Sequence, residues 1–327
     1  MSGKPNRLKN TLPANPFPQH PPAIFLIGPT ASGKTALACE IATRYPCDII
    51  SIDSAQVFRD MDIGTAKPDA AMQMQFPHRL INLITPEERY SAARFRTDAL
   101  REMADITARG RIPLLVGGTM LYVKALREGL ADLPDADPAL RAAIDQQAAE
   151  QGWPALHAEL AKVDPQTAAR LKPTDAQRIQ RAIELTRLTG QTLDSLFATQ
   201  EKSALPYNSL MLALMPQDRS ELHRRIAQRF DAMIAEGLVN EVDVLRQKYT
   251  LHADLPSMRC VGYRQAWEMI EGQIPPAEFR DRGVFATRQL AKRQLTWLKS
   301  MPGLAIYDPL ATYVTTPVLE KVGQHVN

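Results

Sequence analysis

Gly28-Pro29-Thr30-Ala31-Ser32-Gly33-Lys34-Thr35 fits the pattern G-x-x-x-x-G-K-[ST]. Its chemistry is anion binding. The glycines let the backbone curl until successive N–H groups point inward at phosphate oxygens. A helix opening at Lys34 adds the positive end of its dipole. Lys34 supplies a full charge, and Thr35 a hydroxyl for Mg²⁺. All eight residues are therefore candidates for holding a pyrophosphate or a nucleotide. Kinases, hydrolases and transferases whose leaving group is pyrophosphate could all use such a loop.

Two polar groups elsewhere follow apolar runs. Asp53 closes Ile49-Ile50-Ser51-Ile52 and leads into Ser54-Ala55-Gln56; Thr119 follows Val116-Gly117-Gly118. In an open parallel sheet, ligands sit beyond the carboxyl ends of the strands, so both should face the crevice that holds the phosphate loop. The local alternatives are a helix cap or loop hydrogen-bonder for Asp53 and a turn hydroxyl for Thr119. Arg229 falls on an apolar stripe, Leu222, Ile226 and Met233, with Arg225 four residues earlier. An inward-facing arginine requires an anion, which is either a bound pyrophosphate or the carboxylate of an internal salt bridge.

Net charge is only +3 over 327 residues. The charge is unevenly spread, however. Arg259, Arg264, Arg280, Arg282, Arg288, Lys292, Arg293 and Lys299 stand against Glu268, Glu271, Glu278 and Asp281, so this stretch carries 8 − 4 = +4 and the rest of the chain −1. Such local concentration suits phosphate binding, although a solvated helix face would look similar.

Short apolar strands alternating with helices must position these groups. Strands are predicted at Ala23–Ile27, Asp48–Ile52, Arg79–Ile84, Ile112–Val116 and Leu210–Leu214, with helices at Lys34–Tyr45 and Ser91–Ala108. The pattern is that of an α/β fold in which helices wrap a parallel sheet. From about Asp132 to Ser203 the chain is rich in Ala, Gln, Glu, Leu and Arg without a strand-like run, which predicts a helical insertion. The expected organisation is a tail over 1–22, a core over 23–131 and 204–310, the insertion over 132–203, and a C-terminal tail over 311–327.

Six motifs occur in order: Gly28–Thr35, Asp53–Gln56, Met61–Pro68, Gly117–Tyr122, Arg259-Cys260-Val261-Gly262-Tyr263-Arg264, and Arg288–Leu298. Together they closely resemble the bacterial tRNA dimethylallyltransferases, over about Ala23 to Lys299. The resemblance implies a core like that of P-loop NTPases and a Mg²⁺-dependent reaction. In that reaction dimethylallyl pyrophosphate alkylates N6 of the adenosine immediately 3′ of the anticodon, in tRNAs that read codons beginning with U.

On that reading Asp53 is the general base, because the amine lone pair of adenine is delocalised and a carboxylate taking its proton would help. Thr119 lies near the reacting centre, and Arg229 and Arg225 join the loop on the pyrophosphate, with Mg²⁺ at Thr35. Expected tRNA contacts are Asp53, Ser54, Ala55, Gln56 and Thr119, then Arg259 to Arg264, Arg288, Lys292, Arg293, Trp297 and Lys299. Within the insertion they are Arg141 and Gln177-Arg178-Ile179-Gln180-Arg181. Tyr263 and Trp297 are candidates to stack on bases, although core packing is the readier role for each.

Cys39, Cys47 and Cys260 form no CxxC pair, which fits a reducing cytosol. No apolar run approaches the ~20 residues needed to span a bilayer, and Ala23–Ile27 is too short for a secretory core. A cytoplasmic monomer is expected. The rival readings are a small-molecule kinase, an isopentenyltransferase acting on free adenine nucleotides, and a noncatalytic RNA-binding protein. The first binds ATP but not tRNA, the second needs no large insertion, and the third has no use for an intact phosphate loop beside Asp53.

Overall fold

The structure is a computed structural model that describes residues 20–129, 133–198 and 204–326. The chain divides into two compact units, residues 1–124 with 206–327, and residues 125–205.

The first unit is built on a six-stranded parallel sheet. Its strands are β1 (Pro22–Ile27), β2 (Cys47–Ile52), β3 (His78–Arg79), β4 (Ile112–Gly117), β5 (Asn208–Leu214) and β6 (Ala305–Tyr307), in the order β3-β2-β4-β1-β5-β6. Ala23 to Ile27 of β1 are fully buried. A strand covered on both faces reads as a continuous apolar run rather than an alternating one. Its Ile24 and Leu26 pack with Leu37, Ala38 and Ile41 of α1 (Lys34–Arg44).

The register fixes the site. Ile27 of β1 and Ile52 of β2 both pair with Gly117 of β4, so all three strands end at one level. Gly28, Asp53 and Thr119 leave the sheet together.

Helices α2 (Ala70–Gln75), α3 (Ala92–Ala108) and α4 (Met120–Glu128) follow the early strands. The second unit contains α5 (Pro138–Gln151), α6 (Trp153–Val163), α7 (Pro165–Arg170), α8 (Ala176–Thr189) and α9 (Leu193–Ala198). Its core gathers Ile144, Ala148, Leu156, Leu160, Ile179 and Ile183. Back in the first unit come α10 (Arg219–Glu236), α11 (Leu238–Lys248), α12 (Tyr263–Ile270), α13 (Pro276–Ser300) and α14 (Thr315–Val326). Helices α10 to α13 share an apolar core with Val57, Phe58, Met61 and Ile84.

Four expectations change. The strand predicted over Arg79–Ile84 stops at Arg79, because Leu80 (φ 63°) and Asn82 (φ 55°) turn into the left-handed region. Ile84 keeps a lone bridge to Phe58. The stretch read as a C-terminal tail is structured over its described residues, 311–326. Helix α14 buries Val318 and Val322 in the core that contains α1, and Tyr45 Oη donates to the Leu319 carbonyl at 2.7 Å. The insertion begins near Ala125 rather than Asp132. Most of the stretch read as an N-terminal tail lies outside the described residues, but Pro22 already belongs to β1. No described helix is long and apolar enough to cross a membrane.

Candidate active site

The phosphate loop takes the shape its residues allow. Gly33, at φ 84°, occupies the left-handed region that glycine enters freely. Gly28 is required by proximity, since a Cβ there would stand 2.8 Å from the Leu214 carbonyl oxygen. No side chain caps α1, so its first N–H groups remain available to an anion. Lys34 Nζ donates to the Pro29 carbonyl at 2.6 Å. Burial, and then the charge of Arg229, push the Lys34 ammonium down to about 7, while Asp53 opposes them. A bound polyanion would restore its charge.

Asp53 and Thr119 are held from below. Asp53 Oδ1 accepts the Ala55 N–H at 2.8 Å, and its Oδ2 makes no hydrogen bond among the described residues. The Thr119 hydroxyl oxygen accepts the Ser54 N–H at 3.0 Å and lies 3.3 Å from Ser54 Oγ. Gly117 lets the strands close in, since its Cβ would fall 2.1 Å from the Ile52 carbonyl oxygen. Both residues do take up local hydrogen bonds, as the alternative readings required, yet both also line the crevice.

That crevice encloses about 550 Å³. Lys34, Thr35, Asp53, Thr119 and Arg229 line it, with Arg259, Arg293 and Trp297. Arg229 projects from α10 with no carboxylate within ion-pair distance among the described residues, so the internal salt bridge is not formed. Burial depresses its pKa and Asp53 partly compensates. Arg225 lines the outer mouth of the loop with Lys34 and Thr35, and is tied to Glu221 at 3.1 Å. Cys260 also lines the crevice, but burial, aided by the charge of Asp53, pushes its thiol up to about 12, so it is no thiolate nucleophile.

Several expected tRNA contacts are occupied elsewhere. Tyr263 and Ile179 are fully buried, and their side chains serve the cores of their units. Arg141 and Arg181 both close on the buried carboxylate of Glu184, Arg141 in fork-to-fork fashion at 2.9 and 3.0 Å. Gln180 bonds Asp145 at 2.6 Å. Gln177 and Arg178 remain exposed, Arg178 paired with Asp175. Arg264 is tied to Glu268 at 2.9 Å. Arg288 lies in a separate groove with Arg264, Glu278 and Phe285. Lys292 and Lys299 are exposed but do not line the crevice, whereas Ser54, Ala55, Gln56, Cys260 and Val261 do.

Two positioning residues carried no assigned role in the sequence reading. Gln294 Oε1 accepts the Thr30 N–H at 2.9 Å and its amide donates to the Gly118 carbonyl at 2.9 Å, joining the phosphate loop to the end of β4. The spacing of Thr287, Leu290, Gln294 and Trp297 along α13 was the available signal, since these line the crevice as one helical stripe. Glu241 accepts the N–H groups of Asp62 (2.9 Å), Ile63 (2.8 Å) and Gly64 (3.4 Å), together with the Tyr263 hydroxyl. Nothing local in the sequence marks it.

A family model described as IPP transferase matches residues 56–301, and one described as isopentenyl transferase matches residues 22–81. The chain belongs to the IPP transferase family. Members similar to it include a tRNA dimethylallyltransferase of Dechloromonas aromatica, 64% identical over 90% of this chain and 93% of the relative. Another, from Thiobacillus denitrificans, is 58% identical over 94% of this chain and 97% of the relative. Among solved structures, the tRNA isopentenylpyrophosphate transferase of Bacillus halodurans matches with a TM-score of 0.69 at 33% identity, over 94% of this chain and 97% of that one. A eukaryotic dimethylallyltransferase acting on tRNA shares the fold, with a TM-score of 0.76 at 24% identity over 93% of this chain and 80% of that one. This member of the family is therefore a transferase, and its crevice is the candidate active site.

Proposed function

We propose that this transferase moves a dimethylallyl group from dimethylallyl pyrophosphate to N6 of the adenosine immediately 3′ of the anticodon, in tRNAs that read codons beginning with U, releasing pyrophosphate. The observation that carries the reading is the common level at which β1, β2 and β4 end. The same crevice holds a carboxylate, a hydroxyl, the phosphate loop and Arg229, an arginine with no ion-pair partner among the described residues.

The bond from N6 to C1 of the allyl group forms as the C1–O bond to pyrophosphate breaks. The free oxygen of Asp53 takes the N6 proton. Thr119, fixed by Ser54, offers its hydroxyl at the reacting centre. The loop N–H groups, Lys34 and Arg229 meet the charge that grows on the leaving oxygen, in a half-buried site where such donors act strongly. Neighbouring bases can rest on Trp297, which is 39% exposed at the crevice. In the core unit Arg259 and Arg293 are exposed and can meet tRNA phosphates, and in the insertion unit Gln177 and Arg178 are exposed as well.

The donor set fits Mg²⁺ held mainly by substrate oxygens. Thr35 lines the mouth of the loop beside Lys34, and its hydroxyl would be one ligand of an ion that otherwise keeps waters and phosphate oxygens. When bound at Thr35, the ion would neutralise pyrophosphate charge. We infer a cytoplasmic monomer, in a compartment where thiols stay reduced.

The test is transfer of label from dimethylallyl pyrophosphate to unmodified tRNA and, separately, to free AMP, for wild type and Asp53→Ala. Label in tRNA alone, lost in a variant that still binds tRNA, supports the reading. Label in AMP alone, or ATP consumed on a small alcohol, overturns it.

A further inference from the structure

The crevice is lined by two chemically distinct sets of residues. Lys34, Thr35, Asp53 and Thr119 come from the phosphate loop and the strand ends. Ile226, Phe230 and Met233 of α10 form an apolar set with Val261 and with Leu290 of α13. Arg229 stands within the α10 group, so a pyrophosphate engaged by Lys34 and Arg229 has apolar surface directly beside it.

Phe230 cannot yield. Its ring fills the space above Gly283, where an added Cβ would lie 1.9 Å from Cζ and 2.4 Å from Cε1. The Phe279 ring stands 5.6 Å away, centroid to centroid, at 56°. On a further side, a Cβ at Gly262 would stand 3.9 Å from Phe230 Cε2. Phe230 is only 3% exposed, and that remnant forms part of the crevice wall. Close-packed interiors do not open to admit extra methylenes without cost.

We propose, on the basis of the reaction assigned above, that Phe230 seated on Gly283 is the chain-length stop. It admits a five-carbon allylic pyrophosphate and rejects a ten-carbon one. The crevice of about 550 Å³ must already hold pyrophosphate, an adenine and one isoprenoid unit, which is a drug-sized load for such a site. Replacing Phe230 by alanine removes six carbons, about the bulk of the five-carbon unit that separates geranyl from dimethylallyl pyrophosphate.

The experiment measures kcat/KM for tRNA labelling with dimethylallyl and with geranyl pyrophosphate, in wild type, Phe230→Ala and Phe230→Leu. The readout is the ten-carbon to five-carbon ratio, which a uniform loss of folded enzyme leaves unmoved. The ratio is expected to rise roughly tenfold or more in Phe230→Ala, the scale on which apolar pockets discriminate chain bulk, with a smaller rise in Phe230→Leu, the milder truncation should alanine prevent folding. An unchanged ratio in either variant that still transfers dimethylallyl overturns the stop while leaving the reaction intact. Absence of dimethylallyl transfer to tRNA by wild type overturns the reaction and the stop with it.

Discussion

Gln294 and Thr30 lie 264 residues apart in sequence, yet the Gln294 side-chain oxygen accepts the Thr30 backbone N–H at 2.9 Å. The same amide group donates to Gly118. One side chain from α13 thereby sets the spacing between the phosphate loop and the strand end that leads to Thr119. Gln294→Ala removes both bonds, each worth ~1 kcal/mol. We expect a roughly tenfold fall in kcat/KM with unchanged tRNA affinity, checked by steady-state labelling and a filter-binding titration.

Arg229 tests whether function and stability pull apart. A half-buried guanidinium with no ion-pair partner among the described residues is a cost to the folded state. Arg229→Leu is expected to lower kcat/KM by about 10²–10³-fold, the scale of losing one charge-stabilising donor. Its Tm should stay level or rise, as happens when strained site residues are relieved. Differential scanning fluorimetry with and without inorganic pyrophosphate reads both effects, since the stabilisation by pyrophosphate should shrink in the variant.

Glu241 holds the turn at Asp62–Gly64 through three backbone N–H groups. Gly64 in that turn lies so close to Tyr263 that a Cβ would fall 2.4 Å from the ring. Glu241→Ala leaves the three donors and the Tyr263 hydroxyl without their acceptor, at about 1–3 kcal/mol for each group that stays buried. Limited proteolysis should show new cleavage between Asp62 and Pro68, and KM should rise more than kcat falls, because Gly64, Thr65 and Ala66 line the crevice.

Glu184 makes the insertion unit acid-sensitive. Burial alone would raise its pKa, but hydrogen bonds from Arg141, Arg181 and the Asp137 N–H outweigh burial and hold the carboxyl below its ordinary range. A depressed folded pKa contributes stability that is complete above the unfolded value of ~4.3 and is lost as pH falls through the folded value. Glu184→Gln should therefore destabilise the unit at pH 7 by roughly 2–3 kcal/mol. That is less than the ~3–5 kcal/mol of breaking a fully buried pair, because Gln keeps one acceptor and the Arg141 and Arg181 side chains are 27% and 31% exposed. Melting curves of wild type and variant should converge as pH drops below ~4.

The site was legible wherever chemistry and local pattern coincide. Apolar runs closed by Gly28, Asp53 or Thr119 announced strand ends, and the register of the sheet brings those ends together at the crevice. Arg229 betrayed itself by interrupting an apolar stripe. Other residues gave no such signal. Glu241 sits among polar neighbours on α11, and its importance exists only once the turn at Asp62–Gly64 is folded onto it. Tyr263 and Ile179 belong to motifs that suggested contact with tRNA, but adjacency in sequence does not tell which side of a helix faces inward. The left-handed turn at Leu80 was hidden because leucine rarely enters that region, and Asn82, of a type enriched there, was the one local signal of the turn. Helix α14 escaped because its interior apolar anchors, Val318 and Val322, are few and mean little without α1 to receive them.

The central strand of the sheet has a consequence for synthesis on the ribosome. β1 pairs with β4 on one side and with β5 on the other, where Pro22 faces Asn208. Those two residues stand 208 − 22 = 186 positions apart. At ~5–20 residues per second, roughly 10–40 s pass between making the two partners. Throughout that interval one apolar edge of β1 has no strand to pair with, the kind of edge that recruits other chains. The insertion is made during the wait. A nascent chain halted before Asn208 should therefore depend on chaperones far more than one released after Tyr307.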